Sequence, residues 1–428
     1  MITWMKIAAV IMLGAVYVRG SGLESNGVGP RSRSMGFAMV TAADDWSVVH
    51  FNPAGAAMIS ENIFGGEYEY FTGGMSCTAS LRNLGPGLGD PMRGDFTDPA
   101  GDEPSSFSQK EVTSVIHFGA FGFVSGNRQF SWGAGLYGSG SGTSWNDSMR
   151  TGTGDTVRAE LAFTNGSAKV PLVCAWKVRP DVCLGVTFGF HWGLLTAENT
   201  KIRTGAAFPY TMDTVQDTQG TALSLDFGVL WKAREDISLG TVLKFPYTFR
   251  KSGDTETEQS LLSLSHKTHT VTKMKYPLRI ALGGSWDVSE RDLLAFGLTW
   301  LNWDRYRLLI DYNDEIPGVL EDYSGNPGEW ENTVRLHAGY ERVLDERWSL
   351  RIGLTYDQAP EPEEYRTLIG GQVVDAWLLT AGAGAHLGTV RIDFGYIYTY
   401  GPEVEGYIPD AEYSMTLHEV FAGMVKRF

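Results

Sequence analysis

The sequence predicts an all-β protein: a transmembrane antiparallel β-barrel of about 14 strands with an N-terminal luminal hatch. Three observations lead to this prediction. Apolar and polar residues alternate with the period of two that sends successive side chains to opposite faces of a strand. This pattern recurs along the chain, and after the N-terminus no stretch approaches the roughly 20 apolar residues of a membrane-spanning helix. Short and long connections follow one another in turn, as in a transmembrane barrel.

The first residues, 1–20, have the features of an export signal. Lys6 supplies a positive start, Ile7–Val18 forms an apolar core, and a small residue precedes Ser21. We therefore expect residues 1–20 to be a cleaved signal peptide. Export without a helical anchor fits secretion, the periplasm or an outer membrane.

Residues 21–61 lack the alternation, yet they are too apolar for a solvated tail. Asn52-Pro53 marks a turn, since proline fixes its own φ and disfavours the helical conformation of the preceding residue. Ahead of a barrel, such a segment is expected to fold into the lumen as a hatch, and residues 62–428 are expected to form the barrel.

Fourteen alternating segments can be assigned to the barrel. In the segment 390–400, Ile392 and Phe394 point to one face and Arg391 and Asp393 to the other. The predicted strands are 62–72, 112–125, 128–139, 165–178, 182–198, 220–233, 237–251, 270–287, 291–306, 332–344, 347–357, 375–387, 389–401 and 413–428. An even count leaves both termini on the side of the short turns, which is the periplasmic side.

Composition excludes several classes of function. The net charge of -15 argues against nucleic-acid binding, and the acidic residues fall mostly in predicted loops. The histidines lack metal-ligand spacing and there is no nucleophile motif, so we expect no metal, no cofactor and no enzymatic activity. Cys174 and Cys183 flank a turn, which leaves a cross-strand contact open, but free thiols are the preferred interpretation.

Alternation also predicts a ligand site. On two neighbouring strands, 237–251 and 270–287, it turns four cations toward one wall of the lumen: Arg250, Lys273, Lys275 and Arg279. Such a wall could hold an anionic head group by charge-assisted hydrogen bonds, while an apolar tail lies among other luminal residues. In the alternative interpretation these cations only pair with inward acids such as Asp226 and Glu341.

Several short motifs follow one another in a recognisable order. They are Met35-Gly36, Ala43-Asp44-Asp45, Ser47 and Asn52-Pro53-Ala54 near the N-terminus, then Trp300–Trp303, Leu336–Tyr340, Arg351–Pro360, and Gly382–Gly384 followed by Arg391–Tyr400. Together they span most of the mature chain and resemble the FadL/TodX family of outer-membrane transporters for long-chain fatty acids and other hydrophobic compounds. The terminal Phe428 is similar to the residue that the barrel-assembly machinery reads in bacterial outer-membrane barrels.

The resemblance implies a location in the outer membrane of a Gram-negative-type bacterium and a lumen blocked by an N-terminal hatch. The hatch motif would comprise Asp44, Asp45, Asn52, Pro53 and Ala54. It further implies that ligands leave sideways into the membrane through a gap at a kinked third strand. Three glycines of that strand would permit the kink by weakening its ladder, or would make room for the hatch; they are Gly133, Gly135 and Gly138.

The expected function is therefore uptake of hydrophobic compounds, above all long-chain fatty acids, by a monomer surrounded by outer-membrane lipid. Three alternatives stay open at this point: an aromatic-hydrocarbon channel of the same family, a small-solute porin with an open lumen, and an adhesin that uses long loops such as 71–111.

Overall fold

A computed structural model describes residues 23, 26–79, 107–108, 118–126, 129–150, 156–205, 209–260, 263–366, 374–406 and 412–428. The predicted signal peptide, residues 1–20, lies outside this part of the chain.

Within the described residues, fourteen antiparallel strands form a closed barrel, which confirms the predicted fold class. They are β1 Ile63–Ala79, β2 Phe118–Gly126, β3 Phe130–Arg150, β4 Thr156–Arg179, β5 Val182–Thr204, β6 Tyr210–Lys232, β7 Ile237–Lys244 with Tyr247–Gln259, β8 Leu264–Tyr276 with Arg279–Ser289, β9 Asp292–Leu301 with Arg307–Tyr312, β10 Thr333–Val343, β11 Trp348–Asp357, β12 Ala376–Leu387, β13 Val390–Glu405 and β14 Glu412–Arg427. Each strand pairs with the next, and β14 returns to β1 with Ile63 opposite Arg427. Short strands at Phe107–Ser108 and Tyr323–Gly325 extend this sheet.

Alternation produces an apolar outer face. On β13, Ile392 and Phe394 are exposed whereas Arg391 and Asp393 are buried toward the lumen, as predicted. Large apolar side chains on other strands are equally exposed, including Ile352 at 59 % and Leu223 at 75 %. In water such a surface would be unfavourable, so the outer face matches a lipid environment. In the described part of the chain, no helix has the length and apolarity needed to cross a membrane.

Two adjacent strands are interrupted by proline, which has no N–H to donate to a ladder. Pro246 of β7 and Pro277 of β8 lie opposite each other, between the pair Lys244–Arg279 and the pair Tyr247–Tyr276. Against β6, β7 carries one extra residue in this region, because Asp226 faces Lys244 but Thr221 faces Arg250. One extra residue exchanges the inward and outward faces of the strand beyond it.

The exchange of faces corrects three of the predicted site residues. Before the prolines, Lys244 and Arg279 face the lumen; beyond them, the buried inward side chains are Phe249 and Lys251 on β7 and Met274 and Tyr276 on β8. The prediction that Arg250, Lys273 and Lys275 face the lumen is therefore wrong, since all three are on the outer face. It assumed an unbroken period of two through both prolines.

Residues 26–59, hereafter the luminal segment, lie inside the barrel. They form one short helix, α1 Pro30–Ser34, and two 3₁₀ helices, Trp46–Val49 and Pro53–Met58, nearly all of whose side chains are buried. Inward glycines let this backbone approach the wall. A Cβ on Gly353 of β11 would lie 2.1 Å from the amide nitrogen of Gly36, and one on Gly185 of β5 would lie 2.3 Å from that of Ala54.

Candidate functional site

A polar pocket lies in the lumen between the luminal segment and strands β3–β8. Its polar lining is dominated by six side chains from five strands and the luminal segment: Lys169, Lys244, Arg279, Asp226, His50 and His191. We call this set the basic pocket. Its cavity volume is about 50 Å³. A cavity of this size suits a head group rather than a whole ligand.

The basic pocket contains more cations than acids. Lys244 stands in register between Asp226 on β6 and Arg279 on β8, so these three side chains form a row across adjacent strands. Lys169 Nζ donates to Asp226 Oδ2 at 3.2 Å. Three cations thus line the pocket together with one carboxylate, and the chemistry of this lining suits an anion.

His50 contributes an unusual polar group to the basic pocket. It is only 4 % exposed, and neither ring nitrogen has a hydrogen-bond partner among the described residues. Burial lowers the pKa of His50 well below its usual value, and the nearby charges of Lys244, Arg279 and Lys169 lower that pKa further. The ring is therefore neutral, with one N–H donor and one acceptor available to a ligand. A buried polar group without a partner is costly to the fold.

Aromatic rings form one side of the pocket. His191 Nε2 is 2.8 Å from Ser224 Oγ, and its ring stacks on Tyr247 at 4.9 Å between centroids. Tyr247 in turn stacks on Tyr276 at 4.8 Å. Beyond them lies a buried apolar cluster that includes Phe249, Met274, Leu301, Trp303, Tyr306 and Trp330. We call it the aromatic cluster, and it places an apolar surface next to the basic pocket.

The structure brings one predicted cation, Arg279, into this site. Arg250 and Lys275 are exposed on the outer face, and Lys273 there forms an ion pair with Asp311 at 2.6 Å. Sequence reasoning did not include Lys244, Lys169 or His50 in the site. Lys169 could have been predicted, because it alternates in phase with the inward residues of its strand. His50 could not, because the luminal segment has no regular alternation of apolar and polar residues.

Ion pairs join the luminal segment to the opposite wall. The charges are Arg31, Arg33 and Asp45 of the segment with Glu67, Glu69, Glu341, Arg351, Arg391, Asp393 and Glu419 of β1, β10, β11, β13 and β14; we call them the fastening network. Arg33 lies 2.9 Å from Glu67 and 3.0 Å from Glu419, and it also contacts Glu69. Every charge in the network has a partner of opposite sign.

The predicted hatch motif holds the luminal segment in shape. Asp45 Oδ1 accepts from the Ser47 amide at 2.9 Å and its Oδ2 lies 2.5 Å from Arg391 Nη2. Asn52 Nδ2 donates to two carbonyls, those of Val40 at 2.8 Å and Val229 of β6 at 3.1 Å.

The rest of the motif completes this turn. Asn52 Oδ1 caps the following 3₁₀ helix by accepting from Ala54 N at 3.0 Å, and Pro53 begins that helix. Asp44, by contrast, is 56 % exposed and pairs with Arg31 at 3.2 Å. Asp45 and Asn52 therefore fix the segment to the barrel wall.

The ladder between β2 and β3 is short. Among the described residues it runs from Phe121–Leu136 to Gly126–Ser131, although β2 stays paired with β1 as far as Phe118. On the other side, the described pairing of β3 with β4 omits Gly135 and its neighbour, opposite Pro171. A Cβ on Gly135 would lie 3.1 Å from the carbonyl oxygen of Phe121 and equally close to Val49. Among the described residues, β2 and β3 therefore diverge beside the luminal segment. That Gly133, Gly135 and Gly138 allow the strand to kink stays a prediction.

Comparisons with known proteins point to one family. A family described as "Outer membrane protein transport protein (OMPP1/FadL/TodX)" matches residues 11–416. A long-chain fatty acid transport protein of Salmonella typhi is 21% identical over 308 residues, covering 65% of this chain and 68% of the relative.

Solved structures share the fold. The crystal structure of a Pseudomonas aeruginosa FadL homologue aligns with a TM-score of 0.67 at 15% identity, covering 95% of this chain and 99% of the other. The Ralstonia pickettii toluene transporter TbuX aligns with a TM-score of 0.61 at 15% identity, covering 94% and 99%.

Proposed function

The chain belongs to the OMPP1/FadL/TodX family of outer-membrane β-barrel transporters for hydrophobic compounds, and on that basis we propose that it takes up long-chain fatty acids. The proposed path begins with binding in the lumen and ends with lateral release into the membrane. Members of the family are transporters rather than enzymes. Of the relatives named above, one is a long-chain fatty acid transport protein and another is a toluene transporter, so the substrate of this chain must be argued from its own residues.

The observation that carries the proposal is a basic pocket beside an aromatic cluster. A carboxylate could accept charge-assisted hydrogen bonds from Lys244 and Arg279, and from the neutral His50 ring through its N–H. Its acyl chain would then lie against Tyr247, Tyr276 and the rest of the aromatic cluster, where each buried methylene contributes about 0.8 kcal/mol. A neutral hydrocarbon would leave the cations of the pocket without this contact.

The luminal segment supports a transporter over an open porin. It packs against both sides of the lumen, through Gly353 on β11 and Gly185 on β5, and therefore acts as a hatch in this proposal. Lateral exit is supported by the end of the described β2–β3 pairing at Phe121–Leu136, since strands that are not hydrogen-bonded to each other can leave an opening toward lipid.

Equilibrium binding of a fluorescent long-chain fatty acid to the purified protein tests the proposal. We expect saturable binding that weakens about tenfold or more in Arg279→Gln, because a charge-assisted hydrogen bond contributes roughly 1.5 to 3 kcal/mol. Lys275→Gln removes a cation from the same strand, β8, but on its outer face, and it should leave this affinity unchanged. A neutral aromatic hydrocarbon should compete only weakly.

The aromatic cluster favours a second candidate, an aromatic-hydrocarbon channel. If the hydrocarbon binds tightly and the acid does not, the carboxylate site is excluded and this second function takes its place. Equal affinities of Arg279→Gln and Lys275→Gln for the acid would likewise contradict a head-group role for the basic pocket. Binding of neither ligand would favour a porin or an adhesin.

A further inference from the structure

The three cations that the prolines turn outward form a cluster of their own. Arg250 of β7 lies directly opposite Lys273 of β8, and Lys275 of β8 lies directly opposite Arg307 of β9. Lys273 and Lys275 are two residues apart and share a face. Four cations therefore occupy adjacent positions on three neighbouring strands, and we call them the outer basic patch.

Opposition of like charges is unfavourable in a sheet unless something compensates for it. Asp311 compensates for Lys273, and Arg307 donates to the carbonyls of Asp304 and Tyr306. Arg250 and Lys275 are exposed and have no ion pair or hydrogen bond among the described residues. The patch thus carries four positive charges against one paired carboxylate, and it complements an anion with more than one negative charge.

The position of the patch indicates where that anion comes from. On the periplasmic side of the prolines, the outward residues are apolar, with Phe245 40 % exposed and Leu282 49 % exposed. On the far side, the outer face becomes densely charged, as at Glu256 and Lys267. The outer basic patch lies at the border of the apolar belt, on the side of the barrel away from the short turns. In an outer-membrane protein this is the level of the lipid head groups of the outer leaflet.

We propose that the outer basic patch is a binding site for a phosphate-bearing lipid of the outer leaflet, held by its phosphates on Arg250, Lys273 and Lys275. The acyl chains would lie along the apolar belt below. Thr221 and Thr248, exposed opposite Arg250 and Lys275, supply hydroxyl groups for the rest of the head group. This site is on the opposite face of the wall from the basic pocket and does not depend on the transported substrate.

Binding of bisphosphorylated lipid A to the purified full-length protein in neutral detergent tests the proposal, with the dephosphorylated lipid as a second probe. The combined variant Arg250→Gln/Lys273→Gln/Lys275→Gln should bind the phosphorylated lipid at least tenfold more weakly. A control with the same charge change, Arg179→Gln/Lys232→Gln/Arg234→Gln, removes three exposed cations near the short turns and should bind as the unaltered protein does. Heat-dependent mobility on a gel reports whether each barrel is folded, and the single variant Lys275→Gln, with an expected loss of about threefold, serves if the combined variant does not fold.

Three results would overturn the proposal. The first is equal binding of the phosphorylated and dephosphorylated lipids to the unaltered protein. The second is an equal loss in the patch variant and in the control. The third is displacement of the lipid by millimolar inorganic phosphate, which would assign the patch to a small anion. Unchanged fatty-acid binding in the patch variant would show that the luminal site does not depend on the outer basic patch.

Discussion

The two sides of the lumen use buried charge in different ways. In the fastening network, Arg33 is surrounded by Glu67, Glu69 and Glu419, and all four side chains are buried. In the basic pocket, three cations share a single carboxylate, and the buried His50 has no partner among the described residues. The first arrangement compensates for its own charge and so can serve the fold alone. The second has more cations than carboxylates among its lining residues, which is why we propose that it binds an anion.

The comparison also bears on the question that the sequence left open. Inward cations of a barrel wall can pair with inward acids or can bind a ligand, and we propose that this chain uses both arrangements in different places. Burial of a charge is expensive, so a buried cluster in which one sign predominates is a candidate for a functional site.

The largest effect on stability is expected in the fastening network. Arg33→Met would leave Glu67, Glu69 and Glu419 buried without their shared cation. Breaking a buried ion pair from one side typically costs about 3 to 5 kcal/mol, so unfolding in denaturant should occur at a clearly lower concentration. Fatty-acid affinity of the folded fraction should change little.

A surface pair provides the control for Arg33→Met. Arg342 lies 3.2 Å from Asp292, but its side chain is 55% exposed. Arg342→Met should therefore leave the unfolding midpoint unchanged within error. Equal effects of the two substitutions would contradict the structural role of the fastening network.

The overall architecture follows from the period of the sequence. Strands such as β13 alternate regularly over most of their length, here from Val390 to Gly401, so their faces, their number and the closed barrel could all be predicted. The basic pocket could not be predicted in full, because the extra residue at Pro246 and the matching break at Pro277 turn Arg250, Lys273 and Lys275 away from the lumen, and because His50 comes from a segment with no period. A period describes only the regular part of a strand.

A smaller effect on stability is expected within the basic pocket. Lys244→Met removes a cation that stands between Asp226 and Arg279. Because the pocket has cations in excess, the free energy of unfolding should change by about 1 kcal/mol or less, while fatty-acid affinity should fall. This result would be the reverse of that for Arg33→Met. A large loss of stability with unchanged affinity would assign Lys244 to the fold and remove the contrast between the two sides.

The smallest effect concerns the pH dependence that His50 confers. Its pKa in the folded protein is well below the usual value, because burial and the cations of the basic pocket disfavour its protonation. The unfolded chain binds a proton at this residue near pH 6.5, so stability is present above that pH and declines below it, by up to about 1.4 kcal/mol per pH unit. His50→Phe should remove this part of the decline between pH 7.5 and 5.5, as measured by denaturant unfolding.

A bound anion refines the test of His50. A carboxylate beside the ring would offset the charges of Lys244 and Arg279, and it would raise the pKa of His50 toward its ordinary value. With fatty acid present, the decline in stability toward pH 5.5 should therefore become smaller in the unaltered protein, but not in His50→Phe. The same decline with and without ligand would mean that the head group does not reach the basic pocket, even if the acyl chain binds in the lumen.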